Sequence, residues 1–157
     1  MDTAPITPIL IDKADISDKE AVTDLFLGYL DFYKSTAPRE TAESFITERL
    51  SKSDSLIFIA RNTEGTGLGF ARAYPTFASV SMGRVWILND LYVAPHARRL
   101  GAGRALVRAV TEAARSQGVV RVTLATTEDN TSAQALYETE GFTTGHPVRH
   151  YVKRTRT

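Results

Sequence analysis

Cysteine is absent from this 157-residue chain. Its absence excludes disulfide scaffolds, thiolate nucleophiles and cysteine-ligated zinc or iron–sulfur sites. It is compatible with a reducing compartment, and a cytoplasmic location is expected. A surplus of charge is lacking too. Nineteen lysines and arginines stand against 18 aspartates and glutamates, a net charge of +1, which gives no strong global attraction to nucleic acid. No apolar stretch approaches the ~20 residues of a membrane span, so no membrane partner is expected. The start, Met1 to Pro8, has no basic segment followed by an apolar run and does not read as a signal peptide. Histidine is scarce, with three residues. His146 and His150 have no acidic or cysteine cluster beside them, so no metal site is expected.

Hydrophobic residues make up 43% and charged residues 24% of the chain, an ordinary globular balance. A chain this long buries roughly 70% of its unfolded surface without needing a disulfide or metal, and one domain over residues 1–157 is expected. Apolar spacing predicts the elements. Ile9 to Ile11 reads as a first strand. Ser17 or Asp18 can cap a helix carrying Val22, Leu25, Phe26, Tyr29, Leu30 and Tyr33. Thr36 can cap a second helix with Pro38 in its first turn. Leu56 to Ala60 and Leu68 to Tyr74 form a hairpin closed by Pro75, and Val85 to Val93 is the longest strand candidate. The period then becomes helical from Gly103 to Gln117, with Gly118 as stop. Val120 to Leu124 reads as a strand, and Asn130 or Thr131 opens a short helix ended by Gly141. Further strands are expected from Phe142 and over His150 to Val152. The pattern is that of an α/β domain with a mixed sheet.

The segment Arg98-Arg99-Leu100-Gly101-Ala102-Gly103 directly follows the long strand and opens a helix. Its glycines let backbone N–H groups approach a ligand, and the helix start with its dipole is an anion site. Arg98, Arg99 and Arg104 add positive charge, so a diphosphate fits. There is no Gly-x4-Gly-Lys followed by Ser or Thr, and no Gly-x-Gly-x-x-Gly after the first strand. That argues against a P-loop and a nicotinamide-dinucleotide site.

This segment resembles the acetyl-CoA signature of the GNAT superfamily of N-acetyltransferases, a Gln or Arg, two residues, Gly, one residue, then Gly or Ala. Here it stands as Arg98-x-x-Gly101-x-Gly103. A second segment matches as well: Asn130, a short helix, Tyr137, then Gly141-Phe142. The resemblance covers essentially the whole chain. It implies a mixed, strongly twisted sheet of about six or seven strands flanked by about four helices, with acetyl-CoA in the splay between the fourth and fifth strands. It implies that the N–H groups of Arg99, Leu100, Gly101, Ala102, Gly103 and Arg104 hold the pyrophosphate. The backbone of Leu91 and Val93 would pair with the pantetheine arm, and Asn130 would bond to that arm. Tyr137 would direct its hydroxyl at the CoA sulfur as general acid.

The implied reaction is direct attack by an amine, with no acetyl-enzyme. Its acid needs a proton to give at neutral pH, and a tyrosine of pKa ~10 has one. Asp90, a charged residue in an apolar strand, is a candidate base or binder of the cationic amine. It is equally a candidate structural hydrogen-bonding group, as is Asn89. His96 lies near the diphosphate turn and can touch a phosphate or cap the turn. Candidates for the acceptor pocket are Tyr29, Asp31, Tyr33, Tyr74, Phe77, Trp86 and Asp90, because aromatic faces and carboxylates suit a cation. Tyr74-Pro-Thr-Phe77 before the acidic strand resembles the polyamine and diamine acetyltransferase branch. The other readings are a protein lysine or N-terminal acetyltransferase and a non-catalytic acyl-CoA-binding module. The resemblance also implies a homodimer.

Overall fold

A computed structural model describes residues 8–157; the leader-free reading of the start falls largely on residues outside this range. The elements are β1 (Leu10–Lys13), α1 (Lys19–Phe32), α2 (Arg39–Lys52), β2 (Leu56–Arg61), β3 (Gly67–Ala78), β4 (Gly83–Val93), α3 (Ala102–Ser116), β5 (Arg121–Thr123) and α4 (Thr131–Thr139). The strands lie in the order β1-β2-β3-β4-β5. The first three pairings are antiparallel and β4–β5 is parallel. This is the α/β architecture expected, with five strands among the described residues rather than six or seven.

The missing strands are those expected at Phe142 and at His150 to Val152. Residues 143–157 carry no helix or strand and are exposed throughout. A strand forms only where a neighbour's backbone groups pair with it, and this segment meets no such edge. Elsewhere the corrections are local. Asp15, not Ser17 or Asp18, supplies a side-chain cap, accepting from the Ser17 N–H at 2.9 Å in the short 3-10 turn before α1. Pro38 itself occupies the N-cap of α2. β3 runs through Pro75, which pairs with Trp86. At that point β3 has passed the end of β2, whose last partner is Ala73, and proline is tolerated on such an edge.

The sheet separates two cores. Leu106, Val107, Val110 and Ala114 of α3 pack with Phe58, Ala60, Ala71, Ala73, Trp86 and Leu88. On the other face, Val22, Leu25 and Phe26 of α1 and Ala42 and Ile46 of α2 pack with Ile57, Ile59, Phe70 and Tyr92. The register of β4 shifts midway: Arg72 pairs with Asp90, but Ala73 pairs with Leu88. Asn89 is the extra residue of a β-bulge. Since side chains alternate with period two, one added residue reverses the faces beyond it. Trp86 and Leu88 therefore face α3, while Tyr92 faces α1 and α2.

Candidate functional site

Two backbone features frame the site. β5 pairs with β4 only over Val85–Ile87, opposite Arg121–Thr123. Beyond Ile87 that side of β4 has no strand neighbour among the described residues, and the sheet is open. The Ala94 N–H bonds to the Leu68 carbonyl at 2.8 Å, on the β3 side. By the alternation of an antiparallel ladder, Leu91 and Val93 turn their main-chain groups to the open side. Arg98 Nε donates to one of these, the Val93 carbonyl, at 3.2 Å.

The turn into α3 is the second feature. Arg99 has φ of 65° and Gly101 of 90°, both left-handed, a conformation uncommon for a residue with a side chain. Gly101 is the N-cap of α3 and provides no side-chain acceptor. The leading N–H groups of α3 therefore remain available to an anion. Gly103 is closely covered. A Cβ there would stand 3.4 Å from Leu136 Cδ2 and 3.6 Å from Val93 Cγ2, so α4, α3 and the end of β4 converge at this residue. Leu100 and Arg99 are exposed, and Ala102 is buried beneath the helix start.

Asn130 is the N-cap of α4, its Oδ1 accepting from the Ala133 N–H at 3.3 Å. The far end of α4 explains the spacing Tyr137 to Gly141-Phe142. The Phe142 N–H bonds to the Tyr137 carbonyl at 3.0 Å and the Gly141 N–H to the Glu138 carbonyl at 3.1 Å, with Gly141 at φ 91°. These are the paired bonds of a Schellman cap, with its usual apolar contact, since the Phe142 ring packs at 5.9 Å on that of Tyr137. The cap fixes where Tyr137 stands. Burial, then the nearby Tyr33, raises the Tyr137 pKa above the ordinary tyrosine value, so the hydroxyl keeps its proton at neutral pH.

Asp90 is 3% exposed. Arg72 Nε donates to its Oδ2 at 2.6 Å and Asn89 Nδ2 to its Oδ1 at 2.7 Å. Arg72 also bonds to Ser55 Oγ at 3.1 Å, and its guanidinium lies over the rings of Phe45 and Tyr74, 5.6 Å from each centroid. The Tyr29 hydroxyl stands beside the same carboxylate. Burial first, and the Asp90 charge next, push its pKa far above the usual tyrosine range. The Tyr33 ring lies 4.8 Å from that of Tyr29 and is 55% exposed. Arg98 reaches the ring of the adjacent Phe32 at 5.9 Å.

The fold thus gathers Tyr29, Tyr74 and Asp90 around Arg72, packs Tyr33 on Tyr29 and brings Tyr33 near Tyr137. It does not bring in the rest of the expected acceptor set. Trp86 is 1% exposed within the α3-side core, where the bulge leaves it, and it packs instead of lining a pocket. Phe77 is 78% exposed near the β3–β4 turn. Asp31 lines a separate hollow with Gly28, Ser35 and Thr36. His96 is exposed in the turn after β4. Among the described residues no group of three or more side chains is placed to hold a metal ion, and no helix is long and apolar enough to cross a membrane.

Sequence reading missed Arg72, Ser55 and Glu140. Arg72 carried a signal: a lone charge within the apolar run Leu68-Gly-Phe-Ala-Arg72-Ala-Tyr74 needs a buried partner. Glu140 binds both Arg104, Nη1 to Oε1 at 3.0 Å, and Arg108, Nε to Oε1 at 2.9 Å. The Arg104 side chain is therefore engaged away from a simple ring of free charge around the turn.

Residues 20–142 match the model of the Acetyltransferase (GNAT) family, and the chain belongs to that family. It is 42% identical over 141 residues to an uncharacterized N-acetyltransferase, YhfO, of Bacillus subtilis, covering 90% of this chain and 94% of that protein. It is 32% identical to the D-amino-acid N-acetyltransferase HPA3 of Saccharomyces cerevisiae, covering 82% and 81%. The solved structure of a probable acetyltransferase superposes with a TM-score of 0.87 at 34% identity, covering 94% of this chain and 99% of that one. The protein is an acetyl-CoA-dependent N-acetyltransferase.

Proposed function

We propose that the acceptor is a small primary amine, bound as a cation against the faces of Tyr29 and Tyr33 and acetylated beside Tyr137. The observation that supports this most is that Tyr33, whose ring packs on that of Tyr29, comes near Tyr137. Tyrosine faces attract an ammonium group, and the attacking nitrogen would shed its proton to water before reaction. Asp90 is buried and accepts from Arg72 and Asn89, so we assign it a structural role and not that of base. Its part is to hold Tyr29 and the bulge.

In the reaction the amine nitrogen bonds to the thioester carbonyl carbon and the carbon–sulfur bond breaks. The second proton of the amine passes to solvent, the Tyr137 hydroxyl gives its proton to the departing thiolate, and solvent returns a proton to Tyr137. The open edge at Leu91 and Val93 suits the amides of the pantetheine arm, as an added strand would. The Val93 N–H is a candidate donor to the thioester oxygen. The Arg98–Arg104 turn suits the pyrophosphate, and the Asn130 amide suits the arm beyond it. We place the protein in the cytoplasm and expect a homodimer.

An amino acid is the second reading for the acceptor, ahead of polyamines and protein amines. The yeast relative's name specifies D-amino acids. The test is an amine panel read by CoA release, with polyamines, D- and L-amino acids, aminoglycosides and a lysine-bearing peptide. Turnover restricted to the peptide would overturn the small-amine reading. Preference for amino acids over their decarboxylated amines would select the second.

A further inference from the structure

Glu140 is the C-cap of α4, yet its side chain serves another helix. Its carboxylate is 10% exposed and takes both Arg104 and Arg108, one turn apart on α3. Arg108 Nε reaches Oε1 at 2.9 Å and Oε2 at 3.2 Å. Glu140 lies three residues after Tyr137, and its N–H bonds to the Tyr137 carbonyl at 3.1 Å. At that junction Leu136 packs over Gly103 and Val93, with Tyr137 and Phe142 also partly buried against the α3-side core, but α4 has no fully buried residue of its own. A nine-residue helix with so little buried surface depends on its tertiary ties to stay in place.

We propose that Glu140 is a positioning residue: by clamping α4 to the first two turns of α3 it fixes the Tyr137 hydroxyl relative to the diphosphate-binding turn. The inference rests on the reading of Tyr137 as general acid. The location of the carboxylate gives the proposal a sign of its own. A negative charge beside the turn opposes the bound diphosphate and engages a guanidinium that would otherwise attract it. Glu140 therefore favours geometry at some expense of cofactor attraction.

The test is Glu140→Gln, nearly isosteric and still able to accept one hydrogen bond, with Glu140→Asp as the conservative variant. Turnover at saturating substrates should fall about tenfold or more while acetyl-CoA affinity stays level or tightens up to about fivefold. Amide exchange across residues 131–139 should quicken, with the melting transition of the remainder little moved. In the Tyr137→Phe background the same substitution should add less than about twofold, because two residues acting through one group are not additive. Glu140→Asp should recover part of the turnover. Unchanged turnover in Glu140→Gln, a loss of acetyl-CoA affinity beyond about threefold, or a full additive effect without Tyr137 overturns the proposal while leaving the general-acid reading intact. If Tyr137→Phe alone keeps full turnover, the general-acid reading itself fails, and the positioning role falls with it.

Discussion

Arg72 and Asp90 face each other in register across β3 and β4, joined by a 2.6 Å bond at the residue just past the Asn89 bulge. Their side chains are 12% and 4% exposed, so each charge is compensated by the other in a poorly hydrated setting. Tyr29 from α1 and Ser55 from the end of the α2–β2 connection complete the cluster. One ion pair thereby ties two strands and a helix together.

Breaking that pair from one side should cost far more than a surface pair would. Arg72→Met leaves Asp90 buried and unpaired, with an expected loss of about 3–5 kcal/mol. Replacing both, as in Arg72→Met with Asp90→Leu, should restore much of the stability. Urea unfolding of the three variants checks this; a loss below about 1 kcal/mol for the single variant would mean the pair is effectively solvated.

Gly103→Val should abolish acetyl-CoA binding, measured by calorimetry, and leave a folded protein. The first added carbon already meets Leu136 and Val93 at 3.4 and 3.6 Å, and the branches must displace α4 or enter the groove. The parent should bind acetyl-CoA and CoA far more tightly than NAD or ATP. Comparable affinity for either nucleotide would remove the diphosphate-turn assignment.

Tyr137→Phe should lower turnover by roughly ten- to ten-thousand-fold, the span of general acid catalysis, with acetyl-CoA affinity nearly unchanged. Because burial and Tyr33 raise the Tyr137 pKa, the alkaline fall of turnover should begin above the ordinary tyrosine value of about 10. The folded-state shift is upward, so the protonated form is the one the fold favours. Its contribution to stability is fully present below about pH 10 and fades as pH rises through the raised value. A pH–rate profile and alkaline melting curves on parent and variant check both limbs. A variant whose profile overlays that of the parent contradicts the acid role.

Trp86→Ala tests the correction to the acceptor pocket. A side chain 1% exposed in the core should cost about 3–5 kcal/mol when truncated, whereas the KM for the amine in the folded fraction should stay as it was. A large rise in that KM at unchanged stability would return Trp86 to the pocket.

The homodimer expectation is checked by light scattering. Val148, Tyr151 and Val152 are 71–89% exposed on a segment without secondary structure, and among the described residues β5 has a strand neighbour on one side only. Both are features that a second copy can cover. A mass of 17.3 kDa at working concentrations contradicts the dimer.

The family, the element order through α4 and the glycine-rich turn that opens α3 were all legible in the sequence. These are local signals: apolar periodicity, glycines where φ must be positive, and a helix stop at Gly118 as at Gly141. Even the spacing of Tyr137 to Gly141-Phe142 is a local rule, the geometry of a helix C-cap. Only the tertiary structure decided which face each β4 side chain takes, because one extra residue at Asn89 reverses the alternation and appears in no periodicity count. That reversal sends Trp86 into the core and lets Asp90 meet Arg72. Pairings such as Arg72 with Asp90 and Glu140 with Arg104 lie 18 and 36 residues apart. Charges that distant in sequence become partners only when the sheet and helices have packed, since an ion pair is decided by separation in space and by loss of water around it.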